Sequence, residues 1–497
     1  MLQLNKLNLT HTKDLSQLLK DLTLTVNNGE KVAIIGEEGT GKSTLLKAIF
    51  HPEKLPDYIN MSGLIKHDFT KVIHLPQELD QLTLTKSLHA FLYNENDIPF
   101  LDFNLFFQLA QSCRFDLDLL DREDIRLKDL SGGERLKLQV IKALALNPDL
   151  LLLDEPSSDL DLESIIWLEK IIQDSQQTIL FISHDEGFLT TCATAILHLE
   201  LTQKRRKSKW TFFKGSYPDY KSHRQNQYQK QLQIASKERA DFQKKKVKQE
   251  KLQASLHHQL NHTKDSTAGR LLAKKMKVIK SQERKLNLTK NQLKELPDEL
   301  ESIAIFFSDS IPLPKNKIIL HWQDYVLETG QKVNLLIRGQ DKLVITGQNG
   351  VGKSRLLKTI VTELEENASL RVGYMPQHYE DLLIEKEKVL DFLAPENPEQ
   401  ARNLLASLQL TRQEIEHDIY HLSGGQKAKL FLTKMVLDKC NILVLDEPTR
   451  HFSPTSQPLV RELLAGFEGA IISVSHDRHF IAEPYLKKYQ LDQNTLL

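Results

Sequence analysis

Two octapeptides decide the fold of this chain: GEEGTGKS at residues 36–43 and GQNGVGKS at residues 347–354. Both match G-x-x-x-x-G-K-S, the phosphate-binding loop. Each follows an apolar, strand-like run (KVAIIG, KLVITG) and precedes a helix-like run (TLLKAI, RLLKTI). The motif needs this context, because backbone N–H groups at the start of a helix can then surround a phosphate. Two matches in context predict two α/β units of the P-loop type.

Further motifs repeat in the same order in both halves. The pairs are LSGGE (130–134) and LSGGQ (422–426), LLLLDEP (150–156) and ILVLDEP (442–448), and ISHD (182–185) and VSHD (474–477). The offset is 292 residues from Ser131 to Ser423, from Asp154 to Asp446 and from His184 to His476. Gln77 in HLPQE and Gln377 in YMPQH form another pair. Any one motif alone is weak, but the duplicated series indicates two copies of one nucleotide-binding unit.

Together these motifs resemble the nucleotide-binding domains of ABC ATPases, and the resemblance covers both halves. It implies two tandem ABC-type P-loop ATPase domains that hydrolyse ATP with Mg²⁺. In such proteins the LSGG segment of one half covers the ATP held by the other. Ser131 would then serve the nucleotide at Lys353, and Ser423 the nucleotide at Lys42. The implied ATP-binding residues are Gly36, Gly39, Gly41, Lys42, Ser43, Thr44, Ser131, Gly132 and Gly133, and Gly347, Gly350, Gly352, Lys353, Ser354, Arg355, Ser423, Gly424 and Gly425.

The chemistry of ATP hydrolysis requires these residue types. Mg²⁺ would be held by Ser43, Gln77 and Asp154 in one site and by Ser354, Gln377 and Asp446 in the other. Glu155 and Glu447 would orient the attacking water, and His184 and His476 would contact the γ-phosphate. Phosphoryl transfer needs little beyond such positioning and charge stabilisation.

The two halves depart from the family pattern at different places. After DEP the first half reads SSDLDL (157–162), where Asp161 would couple the two sites, whereas the second reads TRHFSP (449–454) and aligns Pro454 with that aspartate. Glu37 and Glu38 lie in the first phosphate loop, where carboxylates repel a triphosphate unless they are paired or face solvent. We interpret both departures as asymmetry between the sites; drift at tolerant positions is an equal alternative.

A basic segment separates the halves. Residues 219–296 carry 20 Lys and Arg against 7 Asp and Glu, although the whole chain balances 66 against 66. The composition predicts two long helices, at 219–257 and 269–296, joined by a polar turn. A solvated coiled coil, the alternative, usually mixes its charges. A long basic projection instead suits a polyphosphate partner with a deep cleft. We therefore expect three domains: 1–214, 215–300 and 301–497.

The remaining sequence features favour a cytoplasmic protein. No apolar run approaches the roughly 20 residues that span a bilayer, and the N-terminus lacks the layout of a signal peptide. Cys113, Cys192 and Cys440 are scattered without metal-ligand spacing, as in a reducing compartment.

Two ABC domains on one chain, with FKGSYPDY (213–220) leading into a charged helical hairpin, resemble the ABC-F family. That resemblance implies a monomer with intramolecular pairing of its ATPase domains. It also implies binding to the E site of the 70S ribosome, with the hairpin contacting 23S rRNA and P-site tRNA and its tip near residues 261–268. Neither membrane nor DNA is expected as a partner, since DNA-repair ATPases usually carry zinc-binding cysteines or longer coiled coils.

Two features favour the antibiotic-resistance type of ABC-F protein. The interval from the glutamine to the signature serine is 54 residues in the first half and 46 in the second, so the arm of translation-throttle members is absent from the sequence. DEPTRHFSP is also similar to a turn of resistance proteins acting against lincosamides, streptogramins A and pleuromutilins. A housekeeping translation factor and the ATPase subunit of a membrane transporter remain alternatives.

Overall fold

The computed structural model describes residues 1–497 except 13–15, 95–96, 123, 203–206, 263–273, 282–283, 285–306, 308–309, 328–329, 380–381, 385–386, 395–396, 409, 493–494 and 497. The chain divides into two compact units, one formed by Met1–Tyr217 with Glu301–Leu497 and the other by Pro218–Leu300. The domain boundaries at residues 214 and 300 stay a prediction.

The first half is built on a six-stranded sheet in the order β5-β6-β7-β3-β8-β9, parallel except for the β8–β9 pair. A smaller antiparallel sheet has the order β2-β1-β4. The strands are β1 (Leu2–His11), β2 (Gln17–Val26), β3 (Lys31–Ile35), β4 (Ile59–His67), β5 (Val72–Leu75), β6 (Leu150–Asp154), β7 (Thr178–Ile182), β8 (Ala195–Thr202) and β9 (Lys207–Lys214).

The second half has a similar plan that differs at the sheet edges, since its main sheet has five described strands and β11 pairs in parallel with β17. Its parallel sheet has the order β13-β14-β15-β12-β16, and its smaller sheet has the order β10-β11-β17. The strands are β10 (Ile318–Val326), β11 (Lys332–Arg338), β12 (Lys342–Thr346), β13 (Val372–Met375), β14 (Ile442–Asp446), β15 (Ala470–Val474), β16 (Lys487–Gln490) and β17 (Thr495–Leu496).

Helices connect the strands and cover the sheets. In the first half they are α1 (Lys42–Phe50), α2 (Gln81–Leu84), α3 (Leu88–Leu92), α4 (Phe103–Ser112), α5 (Gly132–Ala145), α6 (Leu162–Asp174) and α7 (Glu186–Cys192). The compact unit Pro218–Leu300, called the basic unit below, contains α9 (274–281) and all of α8 (Tyr217–His262) except its first residue. The second half has α10 (Lys353–Glu365), α11 (Val389–Leu393), α12 (Pro398–Ser407), α13 (Arg412–Glu416), α14 (Gly424–Leu437), α15 (Gln457–Ala465) and α16 (Arg478–Ile481).

The strands that carry the site are buried along their whole length. Every residue of LLLLD in β6 and of ILVLD in β14 is buried, as expected for parallel strands covered on both faces. Charged residues at the ends of β6 and β14 therefore lie at the carboxyl edge of a rigid sheet, where ligands bind in folds of this class.

The basic unit confirms the first predicted helix, which runs from Tyr217 to His262 rather than over 219–257. Forty-six residues at 1.5 Å each give a length of about 69 Å. Gln249 donates from Nε2 to the carbonyl of Ile279 at 3.1 Å, which joins α8 to α9. Of the predicted second helix, 274–281 and residue 284 are helical, and its other residues lie outside the described residues. Of the predicted tip at 261–268, residues 261 and 262 belong to α8 and the rest lie outside the described residues.

Among the helices that the structure describes, none combines the length and the apolar character needed to cross a membrane. The three cysteines are buried free thiols.

Candidate functional site: two composite ATP sites

The two phosphate loops have the same geometry. Each leads into its helix, α1 or α10, through a left-handed glycine: Gly41 with φ 88° and Gly352 with φ 100°. Lys42 donates from Nζ to the carbonyls of Gly36 (2.7 Å) and Glu37 (2.9 Å). Lys353 donates in the same way to Gly347 (2.7 Å) and Gln348 (2.9 Å). Each ammonium group is thus held by two carbonyl oxygens of its own loop, and the backbone N–H groups of such a loop are the ones suited to phosphate.

The first glycine of each loop leaves no room for a side chain. A Cβ on Gly36 would lie 2.2 Å from the carbonyl oxygen of Leu199, and a Cβ on Gly347 would lie 2.4 Å from that of Leu491. By contrast, a Cβ on Gly39 or Gly350 would contact nothing, although both residues have φ near +78°. The first glycine is therefore required for close packing, and the middle one for backbone conformation.

Ser43 and Asp154 form one candidate Mg²⁺ site, because the serine hydroxyl donates to Asp154 Oδ1 at 3.2 Å. Ser354 is hydrogen-bonded to Asp446 in the same way. Burial raises the pKa of both aspartates to about 6, and Asp446 Oδ2 lacks a hydrogen-bond partner among the described residues. Buried carboxylate and hydroxyl oxygens with spare lone pairs fit Mg²⁺, which would neutralise phosphate charge when bound.

The two candidate catalytic glutamates share an uncommon backbone conformation. Glu155 has φ 52° and Glu447 has φ 54°. Non-glycine residues seldom adopt positive φ, and such residues concentrate at functional sites. Each backbone N–H donates to the last residue of the neighbouring strand: Glu155 to Ile182 at 3.0 Å and Glu447 to Val474 at 2.9 Å.

Around Glu155, cationic and donor groups outweigh burial. Its Oε2 accepts from Gln77 Nε2 at 3.2 Å, and its Oε1 lies 3.4 Å from His184 Nε2. Burial alone would raise the pKa of Glu155, but His184 and Lys42 lower it to about 2. This residue is therefore an ionised carboxylate linked to the predicted glutamine and histidine of its half.

Burial has the larger effect on the pKa of Glu447. Its Oε2 accepts from the backbone N–H of His476 at 3.1 Å, and its Oε1 lies 3.8 Å from His476 Nε2. Burial raises the pKa of Glu447 to about 7 despite the His476 amide, Arg450 and Lys353. Burial and Lys353 also lower the pKa of His476 to about 4. Equivalent residues thus have opposite electrostatic environments in the two halves.

The signature segments begin long helices. Ser131 caps α5 and Ser423 caps α14, each accepting from the backbone N–H three residues later. Gly132 and Gly133, like Gly424 and Gly425, occupy the first helical positions, where backbone N–H groups favour anions.

A cavity of about 710 Å³ brings together the predicted residues of one site except Gly347, which is not in its lining. It combines a signature from the first half with a phosphate loop from the second, as the sequence predicts. Its lining includes Ser131, Gly132 and Gly133, together with Gly350, Gly352, Lys353, Ser354, Arg355, Gln377, Asp446, Glu447 and His476. Glu155 and His184 also reach its wall. Thr44 follows Ser43 in α1.

Several contacts between the halves were not predicted. Asn349 donates from Nδ2 to the carbonyl of Asp159 at 2.7 Å, and Arg450 pairs with the carboxylate of Asp159 at 2.8 Å. Gln457 of the second half donates to the carbonyl of His184 at 2.7 Å. Asp159 and Arg450 lie in the turns 157–162 and 449–454, where the two halves diverge in sequence. The turn sequences alone do not specify which residues of the opposite half they contact.

Glu38 has a partner in the opposite half. The backbone N–H of Gly425, in the second signature, donates to Glu38 Oε2 at 3.2 Å. Asn349 is the corresponding residue of the other phosphate loop and contacts Asp159 instead. The Glu38 carboxylate therefore has a hydrogen-bond partner. A carboxylate in a phosphate loop repels a triphosphate unless it is paired or faces solvent, and Glu38 meets the first of these conditions.

The alignment of Pro454 with Asp161 is wrong by one residue. At the constant offset of 292 the counterpart of Asp161 is Ser453. Asp161 caps α6 by accepting from Ser164 N at 3.0 Å, and Ser453 Oγ accepts from Ser456 N at 3.2 Å. The hydrogen bond from the backbone N–H three residues later is retained although the charge is lost, but Ser453 is not the N-cap of α15, which begins at Gln457.

Two phosphate loops, each followed by strand-end carboxylates and a signature segment, define an ATP hydrolase with two tandem nucleotide-binding domains. The chain belongs to the ABC transporter family, whose model matches residues 19–158 and 331–450.

Known relatives align along nearly the whole chain. The putative ATP-binding protein YdiF of Bacillus subtilis (strain 168) is 28% identical over 97% of this chain and 78% of its own length. The probable ATP-binding cassette sub-family F member 3 homolog of Encephalitozoon cuniculi is 28% identical, over 97% and 79%. ABC transporter F family member 5 of Arabidopsis thaliana is 28% identical, over 94% and 71%. These names support the ABC-F resemblance.

Solved structures show the same fold at low identity. A complex of the archaeal ribosomal stalk protein aP1 with the archaeal ribosome recycling factor aABCE1 matches with a TM-score of 0.60 and 18% identity, covering 99% of this chain and 89% of that one. The structure described as RNase-L inhibitor matches with a TM-score of 0.58 and 17% identity, covering 99% and 89%.

Proposed function

We propose that this protein is a ribosome-associated ATPase of the ABC-F type, in which ATP-dependent closure of the two halves accompanies binding of the basic unit to ribosomal RNA and tRNA. The observation that carries the proposal is helix α8. All five lysines of FQKKKVKQEK (242–251) are exposed along it. A helix of this length and charge suits a deep cleft lined with phosphates, and sub-family F relatives support the assignment.

The particular role that we propose is relief of inhibition by drugs of the peptidyl transferase centre. The protein would occupy the E site of the 70S ribosome, with α8 contacting 23S rRNA and P-site tRNA, in the cytoplasm. The short interval before the first signature and the TRHFSP turn (449–454) favour this role. A housekeeping translation factor is the second candidate, favoured by the same basic helix.

Sedimentation with ribosomes tests the association. The double variant Glu155→Gln with Glu447→Gln keeps the ATP-binding residues but loses both water-orienting carboxylates, so ATP should hold it on 70S ribosomes more firmly than the wild type. Replacing Lys244, Lys245 and Lys246 by Gln should weaken that binding and reduce its salt dependence by up to about three phosphate contacts. The matched control replaces the exposed Lys54, Lys66 and Lys86. Equal losses from both lysine sets would contradict the role of α8.

Cell-free bacterial translation separates the two candidates. With a lincosamide, a streptogramin A or a pleuromutilin present, rescue by the wild type would support drug relief. If the double Gln variant blocks translation and the wild type rescues none, the housekeeping role is favoured. Failure to sediment with ribosomes, together with flotation with membranes, would favour the transporter alternative instead.

A further inference from the structure

Two ion pairs join the halves beside the cavity, whose wall includes the neighbouring Asp185 and Asp477. Arg461 Nη2 lies 2.5 Å from Glu186 Oε2, and Arg478 contacts Glu169 through both of its terminal nitrogens, one of them at 3.1 Å. Both arginines belong to the second half and both glutamates to the first. Arg461, Glu186 and Glu169 are each 8% exposed or less.

The four residues occupy equivalent positions in the two halves. The offset of 292 that relates the motifs also relates Glu169 to Arg461 and Glu186 to Arg478. The assignment is supported by flanking core positions, because buried Leu168 corresponds to buried Val460. The pairs Glu169–Arg478 and Arg461–Glu186 are therefore images of each other under the pseudo-twofold relation of the halves, with the charges exchanged.

This arrangement discriminates between possible pairings. In a twofold interface between identical halves, residue i meets residue j and j meets i. Two first halves would bring four carboxylates against one another, and two second halves would bring together four guanidinium groups, which the two Asp477 carboxylates would offset only in part. Uncompensated buried charge is strongly destabilising, and like-charge contact is a known means of excluding wrong partners. Opposite charges meet in all positions only when a first half pairs with a second half.

Arg461 and Arg478 make further contacts beside their pairs across the interface. Arg461 Nη1 also pairs with Asp477 of its own half at 3.0 Å. Arg478 packs against Gly187, where an added Cβ would lie 3.1 Å from its Nε. Burial lowers the pKa of Arg478, but its pair with Glu169 and the neighbouring Asp185 together raise that pKa above its usual value. Arg461 is thus buried between two carboxylates, whereas Arg478 is 30% exposed and pairs with the buried Glu169.

We infer that Glu169, Glu186, Arg461 and Arg478 form a pairing code, by which we mean that their charges allow a first half to pair only with a second half. The code thereby specifies how the composite sites assemble. The code is independent of the proposed role on the ribosome. It concerns which surfaces can form the ATP sites rather than what the assembled protein binds.

Charge reversal in the full-length chain tests the inference. Glu169→Arg with Glu186→Arg would place four arginines at the interface, and we expect ATP turnover to fall at least about tenfold. Arg461→Glu with Arg478→Glu should have the same effect with four carboxylates. Combining all four substitutions restores opposite charges and should recover turnover to within about threefold of the wild type. Glu163→Arg, at an exposed pair with Arg114 in the first half, is the matched control and should change nothing.

Spin labels on exposed positions of each half, Leu82→Cys and Tyr420→Cys, report pairing directly. The distance distribution between them should broaden in both reversal variants and narrow again in the fourfold variant, while thermal unfolding of each variant monitors the fold. Wild-type turnover in either double variant would overturn the inference. So would a fourfold variant no better than the doubles, since the residues would then be structural rather than a code.

Discussion

The same substitution at the two equivalent glutamates should change the stability of the nucleotide-free protein in opposite directions. Glu447→Gln removes a buried carboxyl whose pKa is raised from 4.5 to about 7, and Glu155→Gln removes one whose pKa is lowered from 4.5 to about 2. Glutamine resembles the protonated, neutral form of the side chain. At position 447 the ionised carboxylate destabilises the fold, so replacing it by glutamine should raise the free energy of unfolding. At position 155 the ionised carboxylate stabilises the fold, so the same replacement should lower the free energy of unfolding.

The magnitude follows from linkage. A tenfold change in proton affinity corresponds to about 1.4 kcal/mol. The raised pKa of Glu447 makes folding less favourable as pH rises from 4.5 through 7, so Glu447→Gln should stabilise the fold by about 3 kcal/mol at pH 8 and by less than about 1 kcal/mol at pH 5. The lowered pKa of Glu155 contributes stability that is present above pH 4.5 and lost as pH falls towards 2. Glu155→Gln should therefore destabilise by about 3 kcal/mol at both pH 5 and pH 8.

Thermal unfolding without nucleotide or Mg²⁺ checks this prediction. At about 2–4 °C per kcal/mol for a half of this size, the two variants should melt roughly 12–24 °C apart at pH 8, with Glu447→Gln above the wild type. At pH 5 only Glu155→Gln should differ clearly. Equal destabilisation by both variants at pH 8, or an effect of Glu447→Gln that does not shrink at pH 5, would refute the electrostatic asymmetry.

Three further outcomes are expected. Gly36→Ala should lower the melting temperature and abolish ATP binding at the first loop, because its Cβ would lie 2.2 Å from a carbonyl oxygen, whereas Gly39→Ala meets no atom and should cost only about 1 kcal/mol of backbone strain; a reversed order in thermal unfolding would contradict this. With the second site silenced by Glu447→Gln, Glu38→Asn should lower the KM for ATP about three- to tenfold in a steady-state ATPase assay, since a carboxylate near the triphosphate is removed; an unchanged KM would mean that its Gly425 contact already keeps it away. Arg450→Ala should slow ATP turnover severalfold by removing the 2.8 Å pair with Asp159, and a control at the exposed Arg412 should not.

Much of the site was predictable because its residues are fixed by short motifs. The phosphate loops, the strand-end carboxylates and the signature serines each depend on local backbone geometry, which a few consecutive residues determine. The apolar runs LLLLD and ILVLD are buried strands in the structure, with the candidate carboxylates at or directly after their ends. The one-residue error at Pro454 arose where the turn sequences diverge and only one local side-chain-to-backbone hydrogen bond is retained.

Contacts across the halves were not predictable to the same degree. The sequence places Glu38 in a phosphate loop, but its hydrogen bond to Gly425 joins residues 387 positions apart. Asp159 receives Asn349 and Arg450 for the same reason: docking of two folded halves brings them together. The charge exchange between Glu169 and Arg461, and between Glu186 and Arg478, is visible in the sequence once the offset is known, yet its meaning depends on which helices meet.

The sequence by itself determined the repeated ATPase fold, the residues available for ATP and Mg²⁺, and the basic character of the segment between the halves. Only the tertiary structure decided that Glu155 is ionised while Glu447 has a pKa of about 7, and which half supplies each partner at the interface. The physical reason is that each motif consists of a few consecutive residues, whereas desolvation and charge pairing depend on groups that are distant in sequence and that the fold brings within a few ångströms.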